Sequence, residues 1–571
     1  MSSEKHTAPP PSENFNRGSK LSASKKTLAT AASLLATAAL ILLSYPTECH
    51  KFNQDAVSRF NPYGTFSSAE PLCPLSEKIE FVDSEYAKFL LTDETFRNQS
   101  AYKLGKAIQF NTEVDDLTRD FEKFEYFHKV LETEFPAVFS NATIFKPNNY
   151  GLILEFKGSN ETLKPLVLMA HQDTVPIGDR GKWVGDPLSG HFDGEKVWGR
   201  GAEDCKNLLV GTLSAMDQIL ASGFSLERTV ILSYGFDEEI SGYNGAKFNA
   251  DFLVDRYGKN SVYQIIDEGA TAFQVLGDNY VSLLATSEKG YFDIAVDVVA
   301  PGGHSSIPYP HTSIGYMAKF IDAYEDDVFT PVLPSNSPMM SNLQCLAENG
   351  ELSASLKSNI LKADFDPVAK AKVLEFMGED RLSKYLVQTS QAVDIIHGGE
   401  KINSLPRNTS VMMNHRIALG NTATDVVNKI EKHASRLCVK FDLGLIVDGE
   451  IMIPPTDNGF FNVRTLMSLV NAPVTPVFDT IWDDLTGSIR YFYEDLVYPE
   501  LFTKKKLIPQ PGVVTGNTDT RHYWDLTDHI FRWQPGFDGI ESNIHNVNEY
   551  THIDSHLQTI AFFYGYIMTI C

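Results

Sequence analysis

The chain has 571 residues, 43% of them apolar and 21% charged; this is the balance of a globular protein, and the length exceeds one compact core, so two or more domains are expected. Lysine and arginine number 49 against 73 aspartates and glutamates, a net charge of −24, which argues against nucleic acid or an anionic membrane surface as partner. Six cysteines include no Cys-x-x-Cys pair, so neither a zinc ribbon nor a thioredoxin-type site is suggested.

Residues 1–26 are polar and rich in proline and serine, with Lys20, Lys25 and Lys26 near their end, and read as a cytosolic tail. Residues 27–47 carry no charge and have about the length needed to cross a bilayer core of roughly 30 Å. Lysines before this run and few after it place the N-terminus in the cytosol and the body across the membrane. The expectation is an uncleaved type II signal anchor, with a cleaved signal peptide as the competing reading. Four Asn-x-Ser/Thr tripeptides, at Asn98, Asn141, Asn160 and Asn408, follow the anchor and none precedes it, in keeping with a glycosylated lumenal body where disulfides are allowed. Residues 48–75 read as a stalk. Beyond them, helical patterns (102–108, 121–134) alternate with apolar strand-like runs (152–156, 166–170, 229–234), which predicts an α/β fold with parallel strands.

The chemistry sits at the ends of those runs. Residues 166–176 (LVLMAHQDTVP) read as a buried strand that delivers His171 and Asp173. In an extended backbone positions i and i+2 share a face, so both side chains point one way while Gln172 points the other. A metal-binding imidazole normally gives its second ring N–H to a carboxylate or carbonyl, which suits this pair. Residues 198–206 (WGRGAEDCK) place Asp204 just before a helical run, where an aspartate is usually only an N-cap. Residues 233–242 (SYGFDEEISG) set Asp237, Glu238 and Glu239 side by side after a strand; such charges repel unless a cation or protons offset them, although a solvated acidic turn is the common answer. Residues 264–270 (QIIDEGA) end another apolar run in Asp267 and Glu268, and residues 543–549 (NIHNVNE) offer His545. Each motif alone is weak. Together they supply oxygen and nitrogen donors suited to zinc at roughly 2.0–2.2 Å, at the strand ends where open α/β sheets carry their sites.

These five motifs, in this order and wording, resemble the co-catalytic dizinc family of aminoacylases, carnosinases and carboxypeptidases, most closely its fungal vacuolar branch of Gly-Xaa carboxypeptidases. The likeness covers nearly everything after residue 75, and the N-terminal anchor resembles that branch as well. It implies a zinc-peptidase α/β domain in two parts, 76–286 and 449–571, around an inserted α+β lid or dimerisation domain, 287–448. Two zinc ions per subunit are implied, His171 on the first, Asp204 bridging, Glu239 and His545 on the second. For the remaining ligand the resemblance offers both Asp267 and Glu268; strand neighbours point opposite ways, so one coordinates, and Asp267 is preferred. Asp173 would orient His171, and Glu238 would be the general base.

In the inserted domain, His304 (residues 300–307, APGGHSSI) resembles a lid histidine that reaches the substrate carbonyl, often from a partner subunit, which leaves a homodimer through the lid open. Asn403 and Arg416 match segments that contact substrate, and Arg is apt because its planar fork binds a carboxylate in two places. Residues 518–521 (TDTR) resemble a further segment beside the pocket, without an assignable role. Cys205 stands where many relatives have Met or Asp and reads as a small buried filler. The implied activity is a vacuolar, membrane-anchored carboxypeptidase that removes the C-terminal residue of short peptides after Gly. Hydrolysis or synthesis of N-acyl amino acids is the alternative, and an inactive interaction protein on the same fold is the third reading.

Overall fold

The computed structural model describes residues 71–571 apart from 116, 118 and 538–541, and only the backbone of 270–272 and 537. The expected cytosolic tail and the anchor at 27–47 lie outside the described residues, as does the stalk up to residue 70. Among the described residues no helix is long and apolar enough to cross a membrane.

The strand Leu166–His171 is buried at all six positions, and its alternation explains why. Leu166, Leu168 and Ala170 enter one hydrophobic core, and Val167 and Met169 enter another on the opposite face. A strand covered on both faces has no polar side to show, which is why it reads as an unbroken apolar run. It pairs in parallel with Val230–Gly235 and Gln264–Leu276. The full sheet has eight strands in the order Thr143–Phe145, Leu152–Phe156, Val230–Gly235, Leu166–His171, Gln264–Leu276, Ile530–Phe537, Asn279–Glu288 and Leu507–Val514. The first two are antiparallel additions at one edge. The helices Lys206–Ser222 and Ile553–Ile570 contribute to one core, and Ala246–Tyr257 contributes to the other. A small sheet of His191–Phe192, Lys196–Trp198 and Tyr550–His552 ties the chain before Asp204 to the chain after His545.

The inserted module is a second sheet, ordered Ala392–Gly398, Asn408–Ile417, Gly290–Val299, Phe460–Leu469, Gly444–Val447 and Glu450–Ile453. Burial along Asn408–Ile417 alternates, because one face packs on the helices Ser313–Asp326 and Ala423–Phe441 and the other does not. The fold is therefore α/β, as expected, with mixed rather than only parallel sheets, and the extent of the lid differs from the expected one. The lid sheet runs on to Leu469, past the expected limit of 448, because Phe460–Leu469 returns to pair with Gly290–Val299. Within 287–448, the helix Pro338–Asn349 leaves the lid to pack on Leu507–Val514, the edge of the main sheet, where Asn342 donates to the carbonyl of Pro511. A disulfide joins Cys345 of that helix to Cys73, and Glu348 accepts the backbone N–H groups of Leu72 and Cys73. The end of the expected stalk is thus fastened to the body.

Candidate metal centre

His171 is the last residue of its strand and is buried, with Nδ1 3.1 Å from the carbonyl and 3.3 Å from the carboxylate of Asp173. That leaves Nε2 facing outward, 2.9 Å from Asp204 Oδ1 and 3.6 Å from Glu268 Oε2. Gln172 turns the other way, to His128 and the carbonyls of Tyr150 and Tyr234. The Asp173 carboxylate also accepts the backbone N–H groups of Glu238 and Glu239, both at 3.1 Å, and so fixes the turn Glu238–Ile240 against the histidine strand.

Asp204 stands between two imidazoles. Its second oxygen lies 3.0 Å from His545 Nε2, and Glu239 Oε2 lies 3.4 Å from the same nitrogen. Glu239 is steadied by the N–H of Val175 at 3.1 Å. Asp237, the first acid of the run, takes no part: it is buried and caps the next turn through the N–H groups of Asn244 and Gly245. Of the adjacent pair Asp267 and Glu268, the structure brings Glu268 to His171. Asp267 is buried with one oxygen lacking a hydrogen-bond partner, on a strand where neighbouring side chains take opposite faces.

Electrostatics follow from the crowding. Burial and then Glu268 push Glu238 well above the carboxylate range, and burial and then Asp204 push Glu239 up to about 7. Burial and Glu268 raise Asp267 to about 8. The hydrogen bonds of Asp204 and Glu239 raise His545 to about 10. Burial opposes ionisation of Asp204, but hydrogen bonds from His171 and His545 outweigh it and hold that carboxyl below its ordinary value. Buried carboxylates packed like this are costly unless cations offset them. Donors of His171, Asp204 and Glu239, and of His171, Cys205 and Glu268, lie within 4.8 Å of one another in each group. The set fits divalent cations that take nitrogen and oxygen ligands.

Two residues outside the sequence expectations complete the frame. Glu549 sits four positions after His545, and its carboxylate accepts the backbone N–H groups of Gly201, Glu203 and Asp204 at 3.0–3.2 Å. Arg200 donates to it at 2.6 Å. One buried side chain thus shapes the loop that presents Asp204. Gly201 has φ +83, which a side chain would strain, and a Cβ there would collide with Thr174. Asp519, within the TDTR segment, is buried with both carboxylate oxygens unpartnered, against Gly235 and Gly242. Burial and then Asp267 push its carboxyl well above the usual range.

The lid residues are placed differently. His304 is exposed, its Nδ1 engaged by Ser306, and Asn403 is exposed beside it, its carbonyl accepting from Ser305. Neither is joined to the cluster by a contact among the described residues. Arg416 is partly buried under the lid sheet, donating to Asn517 Oδ1 at 2.9 Å and lying 4.5 Å over the Tyr291 ring. Asn98, Asn141 and Asn408 are exposed, and Asn160 is half-buried with its side-chain oxygen held by Thr162.

Comparison with known proteins agrees with this architecture. A family model described as peptidase family M20/M25/M40 matches residues 167–569. The chain is 38% identical over 515 residues to carboxypeptidase S of Saccharomyces cerevisiae, covering 87% of this chain and 89% of that one. It is 29% identical over 463 residues to an N-fatty-acyl-amino acid synthase/hydrolase of Danio rerio, covering 77% and 79%. Among solved structures, human carnosine dipeptidase 1 superposes with a TM-score of 0.58 at 13% identity, over 86% of this chain and 99% of that one. The identity and coverage settle the family: this chain belongs to peptidase family M20/M25/M40.

Proposed function

We infer that the protein is a metal-dependent carboxypeptidase that hydrolyses the C-terminal peptide bond of short peptides, with Gly preferred in the penultimate position. The observation that carries this reading is Asp204 spanning His171 and His545, with Glu239 and Glu268 alongside. The similarity to carboxypeptidase S supports the same activity. His171, Asp204 and Glu268 would hold one cation, and Asp204, Glu239 and His545 the other; Asp267, preferred on resemblance, is the less suitable ligand because it shares its strand with Glu268 and faces away. Two zinc ions bound there would supply Lewis acidity and lower the pKa of the attacking water.

The chain's own groups do the rest. A Glu238 carboxylate oxygen accepts the proton of the water that attacks the scissile carbonyl and hands it to the leaving nitrogen, a transfer worth roughly 10²–10⁴-fold. Asp173 keeps His171 in one tautomer by occupying its Nδ1. Arg416 and Asn403 hold the free carboxylate, which restricts cleavage to the chain end, and His304 stabilises the developing oxyanion. His304 and Asn403 stand exposed on the lid, so we assign them to the site of a second subunit paired through the lid. The disulfide and the exposed Asn98, Asn141 and Asn408 accord with an oxidising, glycosylating compartment, and we place the mature protein in the vacuolar lumen behind an N-terminal anchor.

The similarity to fatty-acyl-amino acid synthase/hydrolases supplies the rival reading, because both activities need a carboxylate clamp. Zinc-loaded protein is offered an N-blocked Gly-Leu dipeptide and an N-oleoyl amino acid, with Glu238→Gln as control. Fast dipeptide cleavage that depends on Glu238 is expected. Preference for the oleoyl substrate moves the enzyme to the acyl branch, and inactivity on both, with metal bound, leaves an inactive interaction protein.

A further inference from the structure

The donors gathered at His171 are not all alike. Asp204, Glu239 and His545 offer oxygen and nitrogen only, whereas the second group around His171 contains Cys205 with Glu268. Cys205 is fully buried and outside any disulfide. The free thiol of Cys438 is spent on the carbonyl of Gly444 at 3.1 Å. The Cys205 sulfur instead lies within 4.8 Å of donor atoms of His171 and Glu268, although the residue also belongs to the core beneath them. Its backbone position fixes this orientation: Cys205 is the N-cap of the 17-residue helix Lys206–Ser222 and follows Asp204 directly, so both side chains are presented from the loop that Glu549 clamps.

We propose that Cys205 is a sulfur ligand of the cation held at His171 and Glu268, so that the two metal positions are chemically unequal, one built from nitrogen, sulfur and oxygen and the other from nitrogen and oxygen alone. The inference rests on the reading of this cluster as a metal centre. Coordination exchanges the thiol proton, released to solvent, for the metal–sulfur bond. A soft donor at one position predicts that soft borderline ions such as Zn²⁺, Co²⁺ and Cd²⁺ fill it in preference to Mn²⁺ or Mg²⁺, while the all-hard position discriminates less.

The test uses the protein depleted of metal and reloaded with Co²⁺. Two bound cobalt ions with a sulfur-to-cobalt charge-transfer band in the near ultraviolet are expected, and Cys205→Ser should still bind both ions and lose the band. Two bound cobalt ions without the band, or a band that survives in Cys205→Ser, overturns the proposal. Failure to bind cobalt at all overturns the metal-centre reading instead. Should Cys205→Ser not fold, X-ray absorption on the unmodified zinc protein decides: a sulfur scatterer at about 2.3 Å is expected, and a shell of nitrogen and oxygen alone refutes the assignment.

Discussion

The cluster at the strand ends and the tip of the lid are built by opposite rules. Around Asp204 the groups other than the exposed His545 are buried or half-buried, and the loops that carry them are braced by backbone N–H donors through Asp173 and Glu549. At the lid tip, the two-residue strands Gly303–His304 and Ser404–Leu405 hold His304 and Asn403 in solvent, with Ile402 fully exposed and Ile307 78% exposed beside them. The first arrangement fixes donor positions by packing and so needs no partner to be specific. The second leaves apolar surface and polar side chains uncovered, which the proposed pairing through the lid would cover.

The largest effect that would break this contrast is at Glu238. Glu238→Gln should lower turnover by roughly 10²–10⁴-fold with metal content unchanged; a variant that turns over normally with its metal in place would remove Glu238 from the chemistry. Next comes the brace. Glu549→Ala leaves Arg200 unpaired in a buried setting and should cost about 3–5 kcal/mol in denaturant unfolding, together with loss of metal, both absent if the loop holds itself. On the lid, His304→Ala should cost about 10²–10³-fold in kcat while leaving metal content and stability alone. Mixing His304→Ala with Glu238→Gln, each nearly inactive, should restore turnover above either parent if the lid serves a partner's site, and should restore nothing if it closes on its own.

The smallest expected effect is a pH dependence confined to the cluster. Glu239 has its folded pKa raised to about 7 by burial and by Asp204, against about 4.3 when unfolded. A raised carboxyl contributes stability that is fully present below its unfolded pKa and lost as pH rises through its folded one. Bound metal takes over the charge. The difference in Tm between metal-loaded and chelated protein should therefore grow from pH 5 to pH 8, while His304→Ala keeps the same slope.

Much of the cluster could be read from the chain because its spacing is local. His171 and Asp173 are two residues apart on a strand whose apolar run is unmistakable, and Glu238 and Glu239 follow the next strand directly. Glu549 could not be picked out, since a carboxylate that accepts backbone N–H groups from a distant loop looks, in sequence, like any other acid; Asp519 lies in a segment that resemblance places beside the pocket, but nothing in its spacing gives it a role. The lid boundary failed for a related reason: Phe460–Leu469 rejoins the lid sheet after a crossover, and nothing in its alternation says which sheet it enters. Between Asp267 and Glu268 periodicity guarantees only that they diverge; which one faces His171 depends on the register with the neighbouring strand.

The Glu549 clamp also sets an order of events during synthesis. The loop bearing Asp204 is shaped by a residue 345 positions further along the chain, and the whole lid is made in between. A nascent polypeptide can complete its lid long before it can hold Asp204 in place. Hydrolytic competence therefore arrives late, after the last strand of the small sheet is released from the ribosome, so unfinished or truncated chains that retain a well-formed lid would be inert towards peptides.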